Sequence, residues 1–273
     1  MLKRPFVPAL VVTALLAGAF VPASAQTRSE WGFSCSRNRS HGDDRSRACN
    51  TIDQTIPFRG GKLMVDSRMN GGIIVIGENR RDIQLHAVVE ASARSQSRAE
   101  AMVEEVRIRT TDGRISADGP DSGRNEWWSV NYELHVPMNT DLDLIAQNGG
   151  IAVMDVTGLL RLETMNGGIR LDGVNGDVVA ETTNGGINVG LDGDRWEGKG
   201  LDASTVNGGV HLTLPDGYSA HLETSTVNGG MEIDFPVTVQ GRIGRRLSAD
   251  LGKGGATIRV TTTNGGVTIA KGR

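Results

Sequence analysis

The sequence predicts an all-β chain: a single parallel β-solenoid of short two-strand coils with Asn-Gly-Gly corners and one short helix in its N-terminal half. Three observations predict it. Asn-Gly-Gly begins at Asn70, Asn148, Asn166, Asn184, Asn207, Asn228 and Asn264, with spacings of 78, 18, 18, 23, 21 and 36 residues. The residues on both sides of the triplet alternate apolar and polar. Glycine is abundant, 37 of 273 residues, with few prolines and no collagen period, which points to many tight turns.

After the triplets run Ile169-Arg-Leu171, Ile187-Asn-Val189, Val210-His-Leu212, Met231-Glu-Ile233 and Val267-Thr-Ile269; before them run Leu160-Arg-Leu162-Glu-Thr164 and its counterparts. Period two marks strands with one buried face. The inward register places Thr164, Thr182, Thr205, Thr226 and Thr262 inside, one step before each corner. One such unit cannot bury its apolar face alone, whereas stacked units bury a continuous core. Asn-Gly is also the strongest hairpin signal, so an antiparallel sandwich is the main rival. Hairpins give no reason for equivalent positions to recur every eighteen residues. Corners with positive φ would account for the glycines, and stacked Asn amides would form a ladder. Val174-Asn175-Gly176-Asp177 is a weaker copy between two triplets, and Lys253-Gly254-Gly255 a degraded corner inside the last gap.

Before Asn148 the repeat is irregular. Ser95–Val106 places Ala99, Met102, Val103 and Val106 at helical spacing, which predicts a helix over 95–106. Strand candidates surround it: Leu63–Asp66, Ile73–Ile76, Ile83–Val89, Val106–Thr110, Ser129–Val136 and Leu142–Ala146. The predicted organisation is a signal peptide over 1–25, an N-terminal disulfide loop or cap over 26–51, and a solenoid over 52–273. That solenoid is irregular up to about 147 and regular over 148–273.

The first residues point to export. Lys3 and Arg4 precede an apolar run from Val7 to Val21, and Ala23-Ser24-Ala25 places signal cleavage between Ala25 and Gln26. The run is shorter than the ~20 residues that span a bilayer, and no later segment of the sequence is apolar enough, so no membrane span is expected after cleavage. The expected location is therefore periplasmic, or secreted to the cell surface of a bacterium. In that compartment Cys35 and Cys49 pair as a disulfide more readily than they bind a metal.

The chemistry is sparse. A net charge of -3 excludes a strong electrostatic pull toward nucleic acid. Aromatics make up 4% of the chain, so the platforms for stacking a sugar reduce to Trp31, Trp127, Trp128 and Trp196. His41, Asp43 and Asp44 lack a second His or Cys at ligand spacing, and Asp172, Asp177, Asp192, Asp194 and Asp234 are too scattered for a calcium β-roll. A phosphate loop needs a helix after its glycines, and here strands follow. Neither a cofactor nor a metal is expected. Outward residues mix every class: Ile74, Ala152, Arg170, Asn188, His211, Glu232 and Thr268. His211 and Glu232 could face each other on neighbouring coils, and Glu163 and Glu181 should stack. Both read as solvated pairs, and no catalytic constellation emerges.

The repeated T-x-N-G-G-[IV]-x-[IVL] corners, the export signal, and the strand VNYELHVP (130–137) leading into LDLIAQNGGIAV (142–153) together resemble a bacterial family, the putative-adhesin domain, domain-of-unknown-function family 4097. The resemblance runs from Ile52 to Ile269 and implies an envelope-associated β-solenoid with no active site to carry over. Here Asn-Gly-Gly stands where many relatives have Ser-Gly-Asp or Asn-Gly-Asp. The expected function is a non-enzymatic adhesin-like module of the cell envelope, contacting an envelope protein or a surface polysaccharide. Two other readings compete. One is a carbohydrate-active enzyme of the β-helix class, the other a scaffold or sensor docking through an uncapped C-terminal coil. A cleft around His211, Glu223 and Glu232 would favour the enzyme, and the outward Arg161, Arg170 and Asn188 are where function should be sought.

Overall fold

Alternation along the chain becomes two ten-stranded sheets with a common core. The computed structural model describes residues 32–35, 45–67, 70–234 and 244–272. In chain order these form β1 (Ser46–Pro57), β2 (Lys62–Asp66), β3 (Ile73–Glu78), β4 (Asp82–Ala93), α1 (Gln96–Glu105), β5 (Arg107–Thr111), β6 (Arg114–Asp118) and β7 (Trp127–Pro137). Then follow β8 (Asp141–Ala146), β9 (Ile151–Met154), β10 (Thr157–Asn166), β11 (Ile169–Asp172), β12 (Asn175–Asn184), β13 (Ile187–Gly190), β14 (Gly198–Asn207) and β15 (Val210–Leu214). The last are β16 (Ala220–Asn228), β17 (Met231–Asp234), β18 (Arg246–Leu251), β19 (Thr257–Asn264) and β20 (Val267–Lys271). The first sheet runs β1-β4-β7-β3-β9-β11-β13-β15-β20-β17, the second β18-β16-β19-β14-β12-β10-β8-β2-β6-β5.

The single parallel solenoid is thereby corrected. The strands on either side of each Asn-Gly-Gly pair in parallel with their copies, in matched register: Leu162↔Ala180 and Ala180↔Ala203 in one sheet, Ile169↔Ile187 and Ile187↔Val210 in the other. But β1/β4, β4/β7, β5/β6 and β16/β18 pair antiparallel, so both sheets are mixed. Each of these pairs includes at least one strand that no triplet adjoins: β1, β4, β5, β6, β7 or β18. Ser46 to Thr51, assigned by sequence to the capping loop, forms the first half of edge strand β1. Strands β6 and β18 carried no repeat to mark them.

A second correction concerns order. β20 lies between β15 and β17, and β19 between β14 and β16, so the C-terminal strand pair is an inner layer and not an uncapped end. Lys253-Gly254-Gly255 joins β18 to β19 within one sheet, and so is not a degraded link between sheets.

Each Asn-Gly-Gly stands between a strand of the second sheet and a strand of the first. Positive φ is not why glycine is needed there: of these glycines only Gly71 is left-handed, at φ 137°. Close approach is. A Cβ on Gly185 would lie 2.1 Å from the Gly167 carbonyl oxygen, and one on Gly208 2.1 Å from that of Gly185. Those same carbonyls take hydrogen bonds from the buried threonines. Thr164 Oγ1 donates to Gly149 O, Thr182 to Gly167 O and Thr205 to Gly185 O, each at 2.8 Å. Thr226 and Thr262 donate to Gly265 O and Gly208 O at 2.7 Å. Each hydroxyl satisfies a tightly stacked carbonyl while its methyl stays in the core.

The asparagines form one ladder. Asn148 Nδ2 donates to Asn70 Oδ1 at 3.3 Å, and Asn166, Asn184, Asn207, Asn264 and Asn228 each donate to the amide before them at 2.8–2.9 Å. Asn184→Ala removes two of these bonds at an exposed site. The expected cost is about 1 kcal/mol, a fall of roughly 2–4 °C in a thermal melt. An unchanged melting temperature would deny the ladder any energetic role.

Both sheets contribute to one buried cluster, with Leu162, Leu171, Val189, Leu212, Val260 and Ile269 among its residues. Helix α1 lays Ala99, Met102 and Val103 against β1 and β4, and Ser95 caps it, its Oγ accepting from Arg98 N. The helix expected over 95–106 is thus present. The signal peptide, Ala25, Gln26, Trp31, His41, Asp43 and Asp44 lie outside the described residues. Among the described residues no helix is long and apolar enough to cross a membrane.

Candidate functional site

The outer face of the first sheet carries a row registered across all ten strands: Asp53, His86, Glu133, Ile74, Ala152, Arg170, Asn188, His211, Thr268 and Glu232. Its middle is the floor of an open groove of about 960 Å³. The groove arises because β4 and β7 run on past the point where β3 begins. Val130 N still bonds Asn70 O, but beyond it Ser129 and Trp127 pair only with Glu90 and Ser92 of β4. That overhang forms a wall of Glu90, Trp127, Ser129 and Asn131 beside the first three Asn-Gly-Gly links.

Phe33 completes the wall from a distant part of the sequence. Its ring lies where a Gly72 Cβ would meet Phe33 Cζ at 3.0 Å, so the bare backbone of Gly72 makes room for it. The Cys35–Cys49 disulfide forms as the sequence predicts, and Cys49 sits on β1 directly across from Glu90. The bond ties the Phe33 segment to the strand behind the wall. A disulfide fits an oxidising, extracytoplasmic compartment.

Beside the wall lies a coupled His–carboxylate cluster. His135 Nδ1 is 2.6 Å from Glu78 Oε1, and its Nε2 is 3.2 Å from Glu133 Oε1. The hydrogen bond to Glu133, with Glu78 adding to it, raises the His135 pKa against the opposing cost of burial. The same bond lowers the Glu133 pKa, helped by His86 and by the backbone of Phe33. A raised His pKa stabilises below the unfolded value of about 6.5, and that contribution disappears as pH climbs through the folded value. A lowered Glu pKa stabilises above its unfolded value of about 4.3 and is lost on acidification. Melting temperature should therefore peak between those limits and fall on the alkaline side. His135→Gln should flatten that fall, and an unaltered profile would remove the cluster from the stability balance.

The other singled-out residues are dispersed. His211 and Glu232 share a face, but Thr268 of the inserted β20 separates them, and Glu223 lies on the other sheet; the three form no cleft. Glu163 and Glu181 do stand side by side, in a smaller second groove with Met165, Thr183 and Val206. Arg161 stands on the outer face of the second sheet, opposite Asp143 and Val179. Asp172 pairs with Arg170 at 2.8 Å and Asp177 with Lys199 at 2.8 Å. Asp155, unmarked by sequence, has its pKa raised by burial and by the nearby Asp192 and Asp172. Among the described residues no group of three His, Cys, Asp or Glu side chains could hold a metal.

One constellation carried no sequence signal, because antiparallel β16/β18 pairing creates it. His221 Nδ1 is 2.7 Å from Asp250 Oδ1, and Ser248 Oγ is 3.2 Å from His221 Nε2. Glu223 competes for Nε2 at 3.6 Å, and Arg259 is held between Glu223 and Asp202. The relay lies in the open on an edge strand, outside both grooves.

No curated protein matches the chain. Among solved structures it is similar to a "putative cell adhesion protein" from Clostridium sporogenes ATCC 15579, at 12% identity and a TM-score of 0.38, covering 84% of this chain and 100% of that one. A "putative adhesin" from Bacteroides fragilis NCTC 9343 follows at 10% identity and TM-score 0.35, covering 81% and 97%. A "putative lipid binding protein" from Parabacteroides distasonis ATCC 8503 has 9% identity and TM-score 0.32, covering 81% and 96%. Two stacked sheets joined by repeated Asn-Gly-Gly links are matched as a family across nearly their whole length: over residues 55–270 the chain belongs to the Toastrack DUF4097 family.

Proposed function

We propose that the protein is an exported, non-enzymatic binding module of the bacterial cell envelope, adhesin-like in its mode of action, which engages an envelope component through the groove on the first sheet. One observation carries this. Two non-repeating parts of the molecule, the β4/β7 overhang and the disulfide-tied Phe33, converge on a single place of the repeating scaffold and build a wall there. The parallel stack supplies a rigid platform and the irregular elements supply the contact, the usual division between scaffold and recognition loop. The solitary polar pairs elsewhere on the outer faces offer no comparable concavity.

Sedimentation of the purified protein with isolated bacterial envelope fragments tests the reading. Binding that is saturable and is lost in an Ile74→Glu/Arg170→Glu double variant is expected. Absence of sedimentation, or turnover of a polysaccharide or a p-nitrophenyl ester that disappears in Ser248→Ala, would replace it with an enzyme.

A further inference from the structure

The described tryptophans divide cleanly by environment. Trp196 is buried, and its Nε1 donates to Gly176 O at 2.9 Å. Trp128 turns away from the groove, its ring against Gly119 and its Nε1 on Pro120 O at 2.8 Å. Trp127, next in alternation and so on the opposite face of β7, is half-exposed and lines the groove, as Trp128 does not, with Phe33 also on the wall. Of the described indoles it is the one that lines the groove.

The amide ladder has a direction, and its direction bears on the same place. Every rung donates toward Asn70, from Asn228 through Asn264, Asn207, Asn184, Asn166 and Asn148. Asn70 lines the groove and closes the series with its Nδ2 donor unused among the described residues. Hydrogen bonds in chains polarise one another, so this last N–H₂ is a better donor than a lone amide. The groove thus presents an aromatic face beside a strengthened donor, among the further amides of Asn131, Asn148 and Asn188.

Its chemistry selects among ligand classes. Glu90 and Arg170 offset each other, and Arg170 is already held by Asp172, so neither a phosphate nor a polyanion finds a surplus of positive charge. A peptide strand would need an open sheet edge, but β3 and β9 are paired on both sides, and the open edge of β7 at Trp127–Ser129 is only three residues long. A volume of about 960 Å³ is within the range of small-molecule sites, and polar amides surround its apolar floor. We propose that this groove binds a neutral glycan segment, one sugar ring stacked on Trp127 and a ring or acetamido oxygen accepting from Asn70 Nδ2.

This rests on the envelope-binding reading and names the ligand class of that same groove. Chitotetraose, cellotetraose and maltotetraose serve as neutral probes and tetragalacturonate as the acidic comparator, followed by calorimetry and indole fluorescence. Saturable binding of a neutral probe is expected, at least about tenfold weaker in Trp127→Ala and largely retained in Trp127→Phe. Asn70→Ala should weaken it several-fold. Asn228→Ala, which breaks one rung at the far end of the ladder, should weaken it less than Asn70→Ala does and so separates the local donor from a structural effect. No neutral probe binding at about 10 mM, equal binding in Trp127→Ala, or preference for tetragalacturonate overturns the proposal. If envelope sedimentation persists but is abolished by protease treatment of the envelope, the partner is a protein: the glycan assignment fails while the envelope reading stands. If nothing sediments, both fail.

Discussion

Gly185→Ala lowers the melting temperature by roughly 6–12 °C, corresponding to about 3 kcal/mol for a domain of this size. The new methyl would stand 2.1 Å from the Gly167 carbonyl oxygen and 2.5 Å from its carbon. Neither atom can swing aside as a side-chain tip would. The Gly167 carbonyl also holds Thr182 Oγ1 at 2.8 Å, so moving it breaks a buried hydrogen bond as well. Gly193→Ala is the control. There φ is 75° with nothing within 4 Å of the added Cβ, so only backbone strain is incurred, about 1 kcal/mol. Differential scanning calorimetry of the two variants separates close approach from left-handed backbone as the reason for the glycines. Equal losses would return the argument to φ.

That distinction also explains what the sequence could and could not reveal. The alternation of Ile187, Val189, Val210 and Leu212 determines which face is inside, and the inward threonines follow from the same register. What Gly185 does was legible as a need for glycine but not as its cause, because φ and steric approach leave the same letter. The layer order was hidden for a related reason. Asn264 and Asn228 carry equivalent neighbours, so local pattern fits β19 equally well beside β14 or at the end of the stack. The place of β19 between β14 and β16 shows only in the strand pairing. The groove was less legible still. Ile74, Ala152, Arg170 and Asn188 were identifiable as one outward row, but Trp127 matters because β7 overshoots Asn70. Phe33 lies in the segment that the Cys35–Cys49 bond ties to β1.

Ile269→Ala, four residues from the end of the chain, costs about 3 kcal/mol, again roughly 6–12 °C in melting temperature. Terminal strands commonly fray, and in a chain stacked in sequence order Ile269 would lie on the outermost strand, where this substitution should cost only about half as much. Here Ile269 is fully buried, set between Leu212 on one side and Ile233 on the other. Backbone pairing continues past it, since Gly272 N donates to Leu214 O at 2.7 Å. Deleting three carbons from that position leaves a cavity walled by two neighbouring strands that cannot collapse without breaking register. Ile233→Ala, the same chemistry on β17 at the outer edge, removes a half-buried side chain and should cost roughly half as much. Hydrogen exchange gives an independent reading: β20 amides should be protected like those of β15, with β17 exchanging first. Early exchange in β20 together with a small effect of Ile269→Ala would place the C-terminal pair at the end of the stack after all.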